Sequence, residues 1–136
     1  MLKTSRLIKS EDLNHHGTLF AGRMAEWFVE ASFGAAAVAV KNPDQIVCLK
    51  VHGLEFRRPA KKGDLIELTA QIANHGRTSI TVHCDAKSAI SHEPYVSGFI
   101  TFVNVDEMGN KQPHNLEISY ETEELKRLNL EAKALK

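Results

Sequence analysis

The stretch NHHGTLFAGRMAEWFVEAS, Asn14–Ser32, decides the fold, because it starts as a polar loop and continues as a helix with apolar residues on nearly every side. From about Gly22 to Val40, apolar residues recur at helical spacing: Met24, Trp27, Phe28, Ala31, Ala35 and Val38, with Phe33, Ala37 and Val40 on the opposite side. Pro43 cannot continue the hydrogen bonding and ends the helix. The pattern predicts a long helix that is buried rather than laid on a surface.

Two carboxylates interrupt this helix, Glu26 and Glu30. Arg23 precedes Glu26 by three residues, which predicts an ion pair on one helix face. Glu30 has two interpretations: a base or nucleophile in a poorly hydrated site, or the partner of a neighbouring cation. The segment is long enough to span a bilayer, but these three charges would make insertion costly, so no membrane span is predicted.

Strand patterns surround the helix. Leu2–Ile8 is predicted as a first strand, and four more follow at 45–59, 64–73, 78–86 and 95–105. In the first of these four, Val47, Leu49 and Val51 are predicted to face inward, and the phase shift at Gly53 indicates a β-bulge. The next two alternate cleanly and are joined by NHGR as a hairpin, with these residues inward: Ile66, Leu68, Ala70, Ile72, Ile80, Val82 and Cys84. The segment 95–105 is apolar on both faces, as in a central strand.

The tail, Leu116–Lys136, is predicted to be an amphipathic helix with Leu125, Leu128, Ala132 and Leu135 on one face. The fold class is therefore α+β: a curved antiparallel sheet wrapped around a long central helix, with a C-terminal helical tail. We expect a domain over 1–115 and an extension over 116–136. Because one sheet can hardly cover so apolar a helix, the pattern also favours a homo-oligomer built from dimers.

Composition narrows the function classes. The 136 residues suit one domain, and 17 Lys and Arg balance 17 Asp and Glu, which argues against nucleic-acid and anionic-membrane partners. The N-terminal MLKTSRLIKSED has no apolar run typical of a signal peptide. Cys48 and Cys84 lack C-x-x-C spacing and are predicted to be buried, unpaired thiols. These features predict a cytoplasmic protein without a zinc or disulfide framework.

Four segments resemble a known family. DLNHHGTLFAGRMAEW is similar to the signature of hotdog-fold acyl-CoA thioesterases, and it matches at Asp12, Asn14, Gly17, Leu19, Phe20, Gly22, Met24, Trp27 and Glu30. LEFRRPAKKGD, GRTSITVHCDA and TFVNVDEMGN resemble later segments of that family, in the same order, so the resemblance covers about residues 4–115. Two positions depart from it: Val29 stands where the family usually has aspartate, and Ala21 replaces the first glycine of a pair.

The resemblance implies a hotdog fold that assembles as dimers, often as trimers of dimers. It implies hydrolysis of an acyl-CoA thioester to a free acid and coenzyme A, without a metal or redox cofactor. By this resemblance Asn14 and Glu30 are the candidate catalytic residues, contributed by opposite subunits of a dimer. Asn14 also has a simpler interpretation as a turn residue.

Other residues are candidates for holding the substrate. The loop and helix start could present free backbone N–H groups to a carbonyl oxygen; the candidate residues here are His16, Gly17, Leu19, Phe20 and Gly22. The cations of RRPAKK could bind the phosphates of coenzyme A, or form a solvated turn; they are Arg57, Arg58, Lys61 and Lys62. Thr78 and Ser79 could bind the pantetheine arm, although both are also common in strands. The adjacent His15 and His16 lack H-E-x-x-H spacing, so no metal site is predicted.

Two other functions stay open. The chain could be a hotdog protein that binds acyl-CoA with little hydrolysis, which Val29 favours. It could also be a hotdog dehydratase or hydratase, which would use a histidine with a helix acid. Release of free thiol from acyl-CoAs separates these functions from thioester hydrolysis.

Overall fold

The computed structural model describes residues 1–135, and Lys136, at the end of the predicted tail helix, lies outside the described residues. Its elements are β1 (Leu2–Leu7), α1 (Ala21–Val40), β2 (Ile46–Phe56), β3 (Leu65–His75), β4 (Ser79–Ser88), β5 (Pro94–Asn104) and α2 (Glu123–Lys133). The strands form one antiparallel sheet in the order β1-β3-β4-β5-β2. The predicted hotdog fold, a sheet around a long helix with a helical tail, is confirmed.

Helix α1 lies mainly over β3 and β4. It ends at Lys41, which adopts a left-handed conformation with φ of 64°, and Pro43 follows in a short 3-10 turn. The predicted buried stripe is largely confirmed, since Phe28 is fully buried and Met24, Trp27 and Ala31 are nearly so. Val38 departs from the prediction: it is 66% exposed, because it lies on the flank of the helix that the sheet does not cover.

The inner face of the sheet follows the period-two pattern. Ile66, Leu68 and Ala70 of β3 are fully buried, as are Ile80, Val82 and Cys84 of β4. The hairpin between these strands is confirmed, and the Gly76 N–H donates to the Ser79 carbonyl at 3.1 Å to close its turn. Strand β5 lies between β4 and β2, so its apolar residues on both faces are those of an interior strand.

Strand β2 differs from its prediction. Val47, Leu49 and Val51 are 48%, 57% and 43% exposed instead of buried, and Cys48 is exposed as well. One physical reason is position: β2 is an edge strand, and α1 lies over the middle of the sheet rather than over this edge. The other is a register shift between Cys48 and Lys50, which puts Val47 and Val51 on opposite faces of the sheet. The bulge at Gly53 is confirmed by a register shift between Val51 and Leu54.

The tail helix starts later than predicted. Helix α2 begins at Glu123, where the Thr122 hydroxyl accepts a hydrogen bond from the Leu125 N–H at 3.1 Å. The preceding residues 112–121, which we call the strap, contain no regular element because they bind the β3–β4 hairpin instead. On the outer face of the sheet α2 buries Leu128 and Ala132 against Ala73 and Phe99. The division of the chain at residue 115 stays a prediction.

Candidate active site

The loop before α1 is organised by Asn14. Its side-chain oxygen accepts hydrogen bonds from the backbone N–H of His16 at 2.9 Å and of Thr18 at 3.2 Å. Its amide nitrogen donates to the Thr18 hydroxyl at 3.2 Å. Gly17 completes the turn with φ of 79°, a conformation that glycine adopts without strain. Asn14 therefore has the turn role that its residue type predicts, and its catalytic role stays a prediction.

The loop is fastened to the segment that carries the predicted phosphate-binding cations. Thr18 forms a β-bridge with Lys61, and the Leu19 N–H donates to the Ala60 carbonyl at 2.9 Å. The Phe20 N–H donates to the carbonyl of Asp12, a buried acid whose carboxylate lies 3.3 Å from the Arg23 guanidinium. Two segments more than 40 residues apart in sequence are thus brought side by side.

The start of α1 combines free amides with a close contact. Phe20 is the N-cap residue, and the first N–H groups of a helix have no partner within it. A Cβ atom on Gly22 would lie 2.6 Å from the Phe20 ring, so the glycine lets this ring fold over the helix start. His16, Gly17 and Phe20 are exposed, whereas Leu19 is buried beneath them.

A cavity of about 350 Å³ opens between this loop, the helix start and the end of β2. Residues in its wall include Asn14, Leu19, Met24, Arg57, Arg58 and Tyr95. The structure thus brings the Asn14 loop together with two of the four predicted cations. Among the described residues 1–135, those lining the cavity include neither Glu26 nor Glu30.

Tyr95 in the cavity wall was missed by sequence reasoning, because it begins a strand that is apolar on both faces and looks like core. Its hydroxyl donates to Asp64. Burial and this hydrogen bond raise the pKa of Tyr95 to about 12, so it stays a neutral phenol. Burial acts to raise the pKa of Asp64, but hydrogen bonds from Tyr95, Ser88 and the Leu65 N–H together lower it. The hydrogen bond to Asp64 holds Tyr95 in the cavity wall.

The remaining predicted contacts lie at different places. Arg58 forms an ion pair with Glu93, and Lys61 and Lys62 are exposed beside the loop. Thr78 and Ser79, in contrast, lie at the opposite end of the sheet. Ser79 pairs with Val103 of β5. Tyr95 is eight residues earlier on that strand, or about 26 Å away at 3.3 Å per residue. One chain therefore cannot bring Thr78 and Ser79 to the cavity that Asn14 lines.

The two helix acids are both paired. The predicted ion pair between Arg23 and Glu26 is confirmed, with 3.8 Å between Nη1 and Oε1. Glu30 forms an ion pair with Arg6 of β1, whose guanidinium lies 5.7 Å from the centroid of the Trp27 ring. This places Glu30 on the flank of α1 that faces β1, the edge strand opposite β2. Its catalytic role stays a prediction.

Within residues 1–135, no three His, Cys, Asp or Glu side chains are grouped so that they could hold a metal ion. The rings of His15 and His16 stack on each other, with centroids 3.9 Å apart. In the same part of the chain, no helix has both the length and the apolar character needed to cross a membrane.

The fold and the loop–helix cavity are those of a thioesterase-like hotdog domain. Residues 16–94, more than half of the chain, match the family model of the thioesterase superfamily, and the chain belongs to that superfamily.

Individual relatives agree with this assignment. The crystal structure of an apo hexameric acyl-CoA thioesterase superposes with a TM-score of 0.89 at 30% identity, covering 98% of this chain and 86% of that one. An acyl-CoA hydrolase from Staphylococcus aureus was solved with butyryl coenzyme A, coenzyme A and coenzyme A disulfide. It superposes with a TM-score of 0.87 at 23% identity, covering 97% of this chain and 79% of that one, and this likeness supports the fold alone. An uncharacterised acyl-CoA thioester hydrolase of Zymomonas mobilis is 28% identical over 99 residues. That alignment spans 69% of this chain and 64% of the relative, less than two thirds of its length.

Proposed function

We propose that the protein hydrolyses the thioester of an acyl-CoA to a free acid and coenzyme A. The observation that carries the proposal is the cavity at the start of α1, walled by the Asn14 loop and by Arg57 and Arg58, in a chain of the thioesterase superfamily. A thioester carbonyl at the helix start would meet backbone N–H groups that have no partner in the helix. Such donors stabilise the negative charge that develops on the carbonyl oxygen during attack.

In this mechanism Asn14 holds the loop amides in place and polarises the carbonyl. Glu30 activates the attacking water: Arg6 binds its Oε1 atom, which leaves Oε2 for the water. Because Glu30 does not line the cavity of its own chain, the proposal requires a second subunit to bring it there. Glu30 lies on the flank of α1 away from β2, so the subunit contact that delivers it is not the β2 edge itself. Arg57, Lys61 and Lys62 bind phosphates, and Thr78 and Ser79 contact the pantetheine arm from the second subunit. No metal or redox cofactor takes part in these steps.

The proposed assembly is a dimer through β2, with three dimers forming a hexamer. Strand β2 has one open edge, and its exposed Val47, Leu49 and Val51 give that edge an apolar surface. An exposed apolar edge strand is normally protected or paired, and pairing with a second copy would do both. One solved relative is hexameric. A cytoplasmic location is also proposed, supported by the free thiols of Cys48 and Cys84.

A second candidate function is binding of acyl-CoA without turnover. Two observations favour it: Val29 stands at the position where the resembling family has aspartate, and Glu30 is held by Arg6 on the flank away from β2. A protein of this kind would keep the cavity and the cations but would lack an acid positioned to activate water.

Release of free thiol from a panel of acyl-CoAs of increasing chain length tests the two functions, with binding measured in parallel by calorimetry. Steady turnover of at least one thioester supports hydrolysis. Saturable binding without turnover supports the second function. The absence of both turnover and binding would contradict both functions. Because Cys48 is exposed and reacts with thiol reagents, a protein blank and a Cys48→Ser variant are required as controls.

A further inference from the structure

The strap, residues 112–121, is fixed at both ends. At its start, the Asn104 side-chain amide donates to the carbonyls of Gln112 and Pro113 at 3.1 and 3.3 Å. At its end, Thr122 caps α2, which is held to the sheet by a hydrogen bond of 2.7 Å from Asn129 to the Ala73 carbonyl. Between these anchors, polar contacts of the strap to the β3–β4 hairpin come from the side chains of His114 and Tyr120.

The contacts of His114 define which of its two ring nitrogens donates and which accepts. Its Nε2 atom lies 3.1 Å from the Ser79 carbonyl oxygen, which can only accept, so Nε2 carries a proton. Its Nδ1 atom accepts a hydrogen bond from the Leu116 N–H at 3.1 Å, so Nδ1 carries none. These two contacts fit the tautomer of His114 that carries its proton on Nε2. The bond to Leu116 also closes a turn around Asn115, which has a left-handed φ of 57°.

A second histidine of the hairpin supports the strap. His75 Nδ1 lies 2.7 Å from the Tyr120 hydroxyl, and its ring centroid lies 5.8 Å from that of His114. The pKa of His75 is lowered from 6.5, first by burial and second by His114. Burial raises the pKa of Tyr120 to about 12, so it remains a neutral phenol. The hairpin turn adds one cationic residue, Arg77. Its backbone carbonyl accepts a hydrogen bond from the backbone N–H of His114.

We propose that the strap is a pH-sensitive latch: neutral His114 and His75 hold it against the β3–β4 hairpin, and protonation of His114 releases it. A proton on Nδ1 would point at the Leu116 N–H and replace an acceptor with a donor, which breaks that hydrogen bond. Protonated His75 could still donate to the Tyr120 oxygen. Protonation of His75 therefore does not by itself break this contact. Two imidazolium rings at this separation would, however, repel each other.

The direction of the pH dependence follows from linkage. The pKa of His75 is lower with the strap closed than the ordinary value of 6.5, so the released state binds protons more readily. The contribution of His75 to the closed state is thus fully present above pH 6.5 and is lost as the pH falls below that value. The proposal does not depend on thioester hydrolysis.

Release would open an apolar cavity of about 310 Å³ behind the strap. Ile118 of the strap forms one wall, and Leu2, Ala35, Val38 and Ile72 of the domain form others. Release would therefore expose more apolar surface on this side of α1, where Val38 is already 66% exposed with the strap in place.

Two NMR measurements on the full chain test the latch between pH 8 and pH 5. Nitrogen shifts of the imidazoles report the tautomer of His114, and hydrogen exchange, corrected for the intrinsic rate at each pH, reports protection of the strap amides. We expect the Nε2–H tautomer at pH 8, and at least a tenfold fall in protection of the Leu116 amide by pH 5 while α2 stays protected. An Nδ1–H tautomer, or protection that does not change with pH, would overturn the proposal.

Variants locate the titrating groups. In His114→Gln with His75→Gln, neither position can take up a proton, and we expect the pH dependence of strap protection to fall below threefold. Tyr120→Phe keeps both histidines, so it should lower protection and retain the pH dependence. His92→Asn is the matched control, because His92 is exposed at a left-handed φ of 64° that asparagine tolerates. Full pH dependence in the double variant would overturn the proposal, and the tautomer measurement decides the matter if that variant does not fold.

Discussion

At the scale of single residues, charge pairing separates what the sequence predicts from what it cannot. The pair between Arg23 and Glu26 is local, at i and i+3 on one helix, and was predictable from spacing. The pair between Arg6 and Glu30 joins β1 to α1 across 24 residues. No periodicity encodes which cation meets a helix acid at that separation. The sequence could therefore predict the part of the candidate site formed by Asn14 and its loop. It could not predict which residues surround Glu30.

Glu30→Gln tests the proposed base. If Glu30 activates water, we expect kcat/KM for a turned-over acyl-CoA to fall by about a hundredfold or more, the usual scale for one acid–base group. The melting temperature should change little, because the exposed ion pair contributes roughly 0–1 kcal/mol.

Arg6→Gln is the matched control, since it breaks the same ion pair and leaves the carboxylate. We expect a loss of less than about tenfold, because the base itself remains. An equal loss in the two variants would mean that the ion pair, and not the carboxylate as base, is what activity requires.

Asn14→Ala and Asn14→Asp separate the turn role of Asn14 from its role at the thioester. Aspartate keeps an oxygen that can accept from the His16 and Thr18 amides but loses the amide donor. We expect Asn14→Ala to cost about 1 kcal/mol of unfolding free energy and Asn14→Asp less. Both should lower kcat/KM by about a hundredfold, as for loss of one oxyanion donor. Full activity of Asn14→Asp would restrict Asn14 to shaping the loop.

At the scale of elements, the sequence predicts where strands lie better than it predicts which elements pack against them. The inward residues of β3 and β4 followed directly from alternation. Those of β2 did not, because the burial of an edge strand depends on how far α1 reaches and on what pairs with the open edge. The start of α2 was misplaced for a similar reason. Residues 116–121 belong to the predicted helix, but the strap that contains them binds, through His114 and Tyr120, a hairpin some 40 residues earlier in the chain.

The bulge in β2 makes a glycine of β5 necessary. A Cβ atom on Gly98 would overlap the carbonyl oxygen of Gly53, a backbone atom that cannot move without disturbing the bulge. We therefore expect Gly98→Ala to lower the unfolding free energy by about 2 kcal/mol or more, at the upper part of the range for overpacking.

Gly34→Ala is the matched control, measured in the same chemical denaturation series. Its Cβ would meet the Leu2 side chain at 2.7 Å, but that methyl group can rotate away. Alanine also raises helix propensity by up to about 1 kcal/mol, which offsets the contact. A Gly98→Ala variant as stable as this control would contradict the steric argument.

The open edge of β2 gives a prediction for assembly. Leu49→Lys places a charge on the apolar edge, where it would be buried on pairing with a second copy, so we expect the dimer to dissociate. Light scattering should then give a mass below that of the wild-type assembly, with an unchanged circular dichroism spectrum. Leu130→Lys, on the exposed face of α2, is the control and should leave the assembly intact. A wild-type protein that is already monomeric would contradict the proposed dimer.

At the scale of the whole molecule, one chain holds the parts of the proposed site but does not bring them together. The Asn14 loop, the helix start and Arg57 meet at one cavity, whereas Glu30 lies outside it and Ser79 is at the far end of the sheet. The sequence could predict that so apolar a helix needs a second copy to cover it. It could not predict which side chains that copy contributes, because that depends on how two surfaces meet.

Subunit mixing tests whether the site is shared. Asn14→Ala and Glu30→Gln should each be nearly inactive as pure assemblies. Random exchange between equal amounts of the two variants makes half of all dimers mixed. Each mixed dimer has one site that carries both changes and one site that carries neither. Activity should therefore recover to about a quarter of the wild-type value if dimers with two shared sites are the functional unit. Differently tagged subunits and native mass spectrometry verify the exchange. Confirmed mixing without recovery would mean that Asn14 and Glu30 do not act together across an interface.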